Sequence, residues 1–211
     1  MTNCPCARRF PDGLERVAGD PTFYCGPRRV GNHILLYGKK EGRFPHHCMV
    51  GPNWPCMLLT YGMILVTTLA LLIFKTGADH WVASLIASFT GGTLLLAFSL
   101  TACSDPGIVY RSVEGFPPDR EAALRGNGAA ATNMGAGGVL CGRCDVKRPL
   151  GGIHCSECDV CVSQFDHHCP WTGKCIGEKN IIFFYFFLCS LIVHIVVVGI
   201  LVLSPSVTES L

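Results

Sequence analysis

Charge is scarce in this chain. Lys and Arg supply 17 of its 211 residues and Asp and Glu 15, so 15% are charged and the formal net charge is +2. So small a basic excess makes no phosphate-binding surface, which argues against a nucleic-acid partner. No secretory leader is expected in these residues: the first 50 contain Arg8, Arg9, Arg16, Arg28 and Arg29 but no apolar core. Three stretches contain no Asp, Glu, Lys or Arg at all, namely Cys56 to Phe74, Trp81 to Cys103 and Ile181 to Leu203, of 19, 23 and 23 residues. As helices they would reach roughly 28 to 35 Å, enough to cross a hydrocarbon core of about 30 Å. With a mean hydropathy of +0.38, this clumping predicts a polytopic α-helical membrane protein. It excludes disorder, collagen and a small secreted disulfide scaffold as descriptions of the whole chain.

The basic residues are unevenly placed. Eight of the 17 precede the first stretch, Lys75 lies between the first and second, and eight lie between the second and third. The positive-inside tendency then puts the N-terminal region 1–55 and the loop 104–180 in the cytosol, and the turn 75–80 in the lumen or outside. Within the loop, Gly126 to Gly138 reads as a flexible tether inside a linker 104–140. The segment 141–180 is quite different. Between Cys141 and Cys175 lie seven of the fourteen cysteines, with His154, His167 and His168. In a reducing compartment that density points to zinc, not disulfides, and Cys141-x2-Cys144, Cys155-x2-Cys158 and Cys158-x2-Cys161 have knuckle spacing.

Ten candidate ligands exceed the eight that two tetrahedral structural sites require. Neighbouring residues in extended chain point to opposite sides, so His154 and Cys155 must serve different ions, as must His167 and His168. An interleaved arrangement follows: His154 goes with Cys141 and Cys144, while Cys155 and Cys158 begin a second site. One histidine of the 167/168 pair joins a zinc and the other faces the neighbourhood of Cys169. Counting leaves open which.

The string Cys-x2-Cys-x9-His-Cys-x2-Cys-x2-Cys-x4-Asp-His-His-Cys-x5-Cys-x4-Asn, running from Cys141 to Asn180, resembles the DHHC cysteine-rich domain of protein S-acyltransferases (palmitoyltransferases). Asp105-Pro106-Gly107 is similar to a second signature of that family. The resemblance implies that Cys141, Cys144, His154 and Cys161 hold one structural zinc and Cys155, Cys158, His168 and Cys175 the other, in a cytosolic domain of short β-hairpins. It implies that Cys169 is the nucleophile, His167 its base and Asp166 the group that orients His167. The implied reaction is transfer of a long-chain acyl group from palmitoyl-CoA, through acyl-Cys169, to cysteines of proteins at the cytosolic face of the endomembranes (Golgi or ER) or plasma membrane. Keeping a sixteen-carbon chain in water would cost on the order of 10 kcal/mol, so the chain should lie among the spans.

Departures from the pattern set further expectations. The family usually has four spans and a Thr-Thr-x-Glu signature, whereas here the tail 204–211 follows the third stretch 181–203. A catalytically incompetent short form, acting as a zinc-stabilised membrane adaptor or binding partner of a full-length acyltransferase, is the alternative. Leu150 to Ile153 lacks the family's usual Arg, leaving Arg143, Lys147, Arg148 and Lys174 as candidate contacts to CoA phosphates. His46-His47-Cys48 reads as a solvated interfacial segment, His194 as a packing or hydrogen-bonding group inside the membrane, and Ser88, Gly91, Gly92 and Gly199 as close helix-packing positions, with opening of an acyl cavity as the alternative. Cys4, Cys6, Cys48 and Cys56 read as free thiols, and Trp54 and Trp81 as interfacial anchors.

Overall fold

A computed structural model describes residues 28–38, 43–74, 81–110, 139–144 and 146–203. The glycine-rich tract 126–138, the turn 75–80, the tail 204–211, Cys4 and Cys6 lie outside the described residues. The three charge-free stretches form helices α1 (Trp54–Phe74), α2 (Trp81–Cys103) and α3 (Ile181–Leu203), each long and apolar enough to cross a membrane. Apolar side chains cover all sides of them. Val66, Ile73 and Phe89 are 67%, 70% and 75% exposed within the protein, and hydrocarbon is the solvent that accepts such surfaces.

Helix α2 packs against both of the others. Phe98 on α2 is fully buried, with Tyr61 of α1 edge-on at 4.6 Å and Phe187 of α3 tilted at 5.1 Å. Hydroxyls inside the spans are satisfied locally: Thr60, Thr68, Thr90, Ser99 and Thr101 each donate to the carbonyl four residues earlier. That back-bonding lets polar residues sit in an apolar helix without leaving unpaired groups. A Cβ added at Gly91 would lie 2.5 Å from Thr68 Cγ2, so glycine here permits close approach of α1 and α2; Gly92 and Gly199 face open space. His194 on α3 is buried and hydrogen-bonds Thr90 of α2 at 3.2 Å.

The polar part consists of short antiparallel pairs. β1 (Arg28–Val30), β2 (His33–Tyr37) and β3 (Cys48–Val50) form a three-stranded sheet ahead of α1. Three hairpins follow: β4 (Val139–Cys141) with β5 (Val146–Arg148), β6 (Ile153–Cys155) with β7 (Val160–Val162), and β8 (His167–Cys169) with β9 (Lys174–Ile176). Strands of three residues cannot build a conventional core. Instead Val30, Leu35, Met49, Ile108, Val146, Val160 and Val162 share one buried cluster with the sulfurs of Cys141, Cys144, Cys155, Cys158, Cys161 and Cys175. Strands this short need help from something other than their ladders.

One correction concerns the N-terminal segment. His47 and Cys48 were expected to be solvated, but they are 1% and 5% exposed, because β3 joins the sheet and packs on the end of α2, where the Cys48 thiol meets Cys103. Only His46 of the three is exposed.

Candidate metal centres and a spare thiol

Hairpin register builds both clusters. In the β6–β7 hairpin His154 stands opposite Cys161, and in β8–β9 His168 stands opposite Cys175. Directly opposed residues of an antiparallel pair share a face, so each hairpin presents one imidazole and one thiol side by side. The knuckle of the preceding hairpin supplies the other two sulfurs. Cys141 and Cys144 join His154 and Cys161; Cys155 and Cys158 join His168 and Cys175. Within each group the ligand atoms all lie within 4.8 Å of one another, and either group could hold a metal ion. The middle hairpin therefore serves both clusters, one through its strands and the other through its turn.

The imidazole atoms facing the sulfurs are the Nδ1 atoms. His154 Nδ1 is 3.2 Å from Cys144 Sγ and 3.9 Å from Cys161 Sγ; His168 Nδ1 is 3.4 Å from Cys158 Sγ and 3.6 Å from both Cys155 Sγ and Cys175 Sγ. Three thiols and one imidazole per cluster are the donor set of a closed structural zinc site.

Alternation along β8 separates the remaining residues. His168 points to the second cluster, so His167 and Cys169 share the opposite face of the strand. Asp166 Oδ2 lies 2.9 Å from His167 Nδ1, and the His167 ring meets Phe184 of α3 edge-on at 5.2 Å. A carboxylate accepts, so Nδ1 carries a proton, and in the neutral ring Nε2 would keep its lone pair. Cys169 is buried and belongs to neither cluster, while His167 is half-buried and Asp166 exposed. The arrangement places a carboxylate, an imidazole and a spare thiol beside the start of a membrane span.

The Asp-Pro-Gly segment after α2 turns the chain into this domain. Asp105 is fully buried, and its Oδ1 accepts from the N–H groups of Gly107 and Ile108 at 2.9 and 3.0 Å. Gly107 takes φ 101°, a left-handed geometry that favours glycine. Lys179, just before α3, reaches Asp105 Oδ2 at 3.4 Å. Beyond the turn Ser163 donates to Gly107 O, Val109 donates to Cys161 O, and Ile108 bridges to Val162, so the segment lies along β7.

Lys174 corrects an expectation. It is fully buried and donates to Met49 O at 2.6 Å and Ser104 O at 2.5 Å, tying β9 to β3 and to the end of α2. It is therefore a structural strut, unavailable to a phosphate, whereas Arg143 and Lys147 are exposed. Burial pushes Lys174 down to about 8. Burial, and then the charge of Lys174, pushes His33 down to about 3; this neutral, buried ring donates Nδ1–H to Val30 O.

These parts define a class: a membrane-embedded protein with two interleaved cysteine–histidine clusters and one unclaimed thiol at the foot of a span. Residues 136–209 match the family model of the DHHC palmitoyltransferases, and this region of the chain belongs to that family. Over 197 residues the chain is 33% identical to Palmitoyltransferase ZDHHC14 of Homo sapiens, which covers 84% of this chain and 36% of that protein. It is 29% identical over 209 residues to Palmitoyltransferase ZDHHC18-A of Danio rerio (89% and 40%), and 33% identical over 175 residues to Probable protein S-acyltransferase 7 of Arabidopsis thaliana (71% and 38%). The chain thus spans 36–40% of the length of these curated relatives.

Proposed function

We propose that this protein is an S-acyltransferase that takes a long-chain acyl group from acyl-CoA onto Cys169 and passes it to a cysteine of a protein substrate. The observation that carries this reading is the division of β8: His168 faces a metal cluster, while Cys169 stays outside both clusters and shares a face with the Asp166–His167 pair. In the first step His167 Nε2 accepts the Cys169 proton, the sulfur attacks the thioester carbonyl, and CoA departs as its thiol on regaining that proton. The second step repeats the exchange with the substrate cysteine as nucleophile and Cys169 as leaving group. A thiolate is the reactive form, and an adjacent imidazole promotes it. Asp166 holds His167 in the tautomer that can act as a base.

Both clusters suit zinc, with Cys141, Cys144, His154 and Cys161 at one ion and Cys155, Cys158, His168 and Cys175 at the other. Four protein ligands per ion leave no open position, so zinc here supplies folding free energy. The distribution of Lys and Arg supports a cytosolic face for the domain in an endomembrane or plasma membrane. Membranes containing the protein should form an adduct with labelled palmitoyl-CoA that hydroxylamine removes and Cys169→Ser abolishes. A label persisting in C169S would overturn the assignment. Absence of label on the wild type would favour a non-catalytic adaptor.

A further inference from the structure

The two clusters are alike in donor atoms but differ behind their imidazoles. In the first, His154 Nε2 is buried without a hydrogen-bond partner among the described residues, its nearest acid being Asp159 Oδ1 at 3.9 Å. In the second, His168 Nε2 lies 2.9 Å from Oδ1 of Asn53, a residue 115 positions away in the chain. An amide oxygen only accepts, so this contact requires the proton on Nε2 and leaves the Nδ1 lone pair aimed at Cys155, Cys158 and Cys175. Metal-bound histidines commonly depend on such an outer partner to fix the ring and its tautomer.

Asn53 is itself held from both sides. Its N–H donates to Gly173 O, in the turn that joins β8 to β9, and its carbonyl accepts from Met57 N–H to open α1. Thr60, one turn further on, donates to Trp171 O in the same 170–173 turn. The start of the first span is therefore fastened to the loop that carries Cys169 at one end and Cys175 at the other.

We propose that Asn53 is a positioning residue for the second metal centre: by accepting from His168 Nε2 it holds His168 as an Nδ1 ligand and couples the first membrane span to the strand that bears Cys169. The proposal rests on the reading of both clusters as zinc sites and adds to it an outer partner at one of them.

The test is zinc retention by the full chain in detergent, measured as release to a colorimetric chelator. Wild type should contain two zinc ions per chain; a lower stoichiometry would sink the metal reading itself, whatever Asn53 does. Asn53→Ala should release one of its two ions about 10–100-fold faster, the usual effect of losing an outer-shell partner, while the other keeps the wild-type rate. Asn53→Asp retains an acceptor at the same reach and should restore slow release. Asn53→Ser keeps a helix-capping hydroxyl but is too short for His168, so it should behave like N53A. Wild-type release from N53A, or full restoration by N53S, would overturn the proposal, the latter by showing that only the helix cap matters. If N53A does not accumulate, the comparison of N53D with N53S decides: slow release from N53D alone supports the proposal, and equal rates overturn it.

Discussion

A single residue step along β8 gives two histidines different surroundings. His167 and His168 are identical side chains one position apart, yet the pleat sends one to a cluster of sulfurs and the other to Asp166 and the foot of α3. If His167 is the base proposed above, His167→Ala should slow adduct formation at Cys169 by about 10²–10⁴-fold, the range for a positioned proton acceptor, without changing zinc content. Asp166→Asn should cost less, since the amide no longer dictates the tautomer but leaves the ring in place. Labelling rates at saturating palmitoyl-CoA, with metal analysis of the same preparations, check both. Lys174 acts at the same scale with a different outcome. Its two carbonyl partners are buried, and Lys174→Ala would strand them at about 1–3 kcal/mol each if no water entered. A lowered unfolding temperature in detergent is the expected result, with little effect on the zinc-independent reactivity of any thioester already formed.

Among the elements, the helices and hairpins are stabilised by different physics. The spans need only length and an unbroken apolar surface, which is why their existence is visible in the distribution of charge. Their mutual packing depends on a few positions. At Gly91 a side chain would strike Thr68, whereas at the adjacent Gly92 it would meet nothing within 4 Å. Gly91→Val should therefore destabilise the α1–α2 pair by about 1–3 kcal/mol through overpacking, and Gly92→Val should be nearly neutral. Thermal unfolding of the two variants in one detergent gives the comparison. The N-terminal sheet was not anticipated from sequence, because its strands are only three to five residues long and its turn packs against a distant cysteine–histidine hairpin. Gly31, at φ 56°, and Asn32 form the β1–β2 turn; Asn32 N–H donates to Cys158 O and its side-chain amide to Glu157 O. The turn thus clamps a knuckle of the second cluster, a contact between residues more than a hundred positions apart that no local pattern announces.

At the scale of the whole molecule, the proposed metal sites and the membrane would divide the task of holding the chain together. The hairpins are too short to be stable alone, so loss of metal should unfold the 139–180 region and not merely slow turnover. Cys141→Ser and Cys175→Ser should each lower zinc below two per chain and reduce the amount of folded protein recovered. Elemental analysis, together with protease sensitivity of the hairpin region, measures this. The sequence alone determined the three apolar helices, the separation of ten possible ligands into eight and two, and the resemblance that singled out Cys169. Those features are legible because they depend on local composition, on spacing and on the alternation of an extended chain. Only the tertiary structure decided that His47 and Cys48 are buried, that Lys174 is a strut and not a phosphate contact, and that Asn53 stands behind His168. Each of these is set by which distant segment packs against the residue, and burial and hydrogen-bond partners across such separations exist only once the chain has folded.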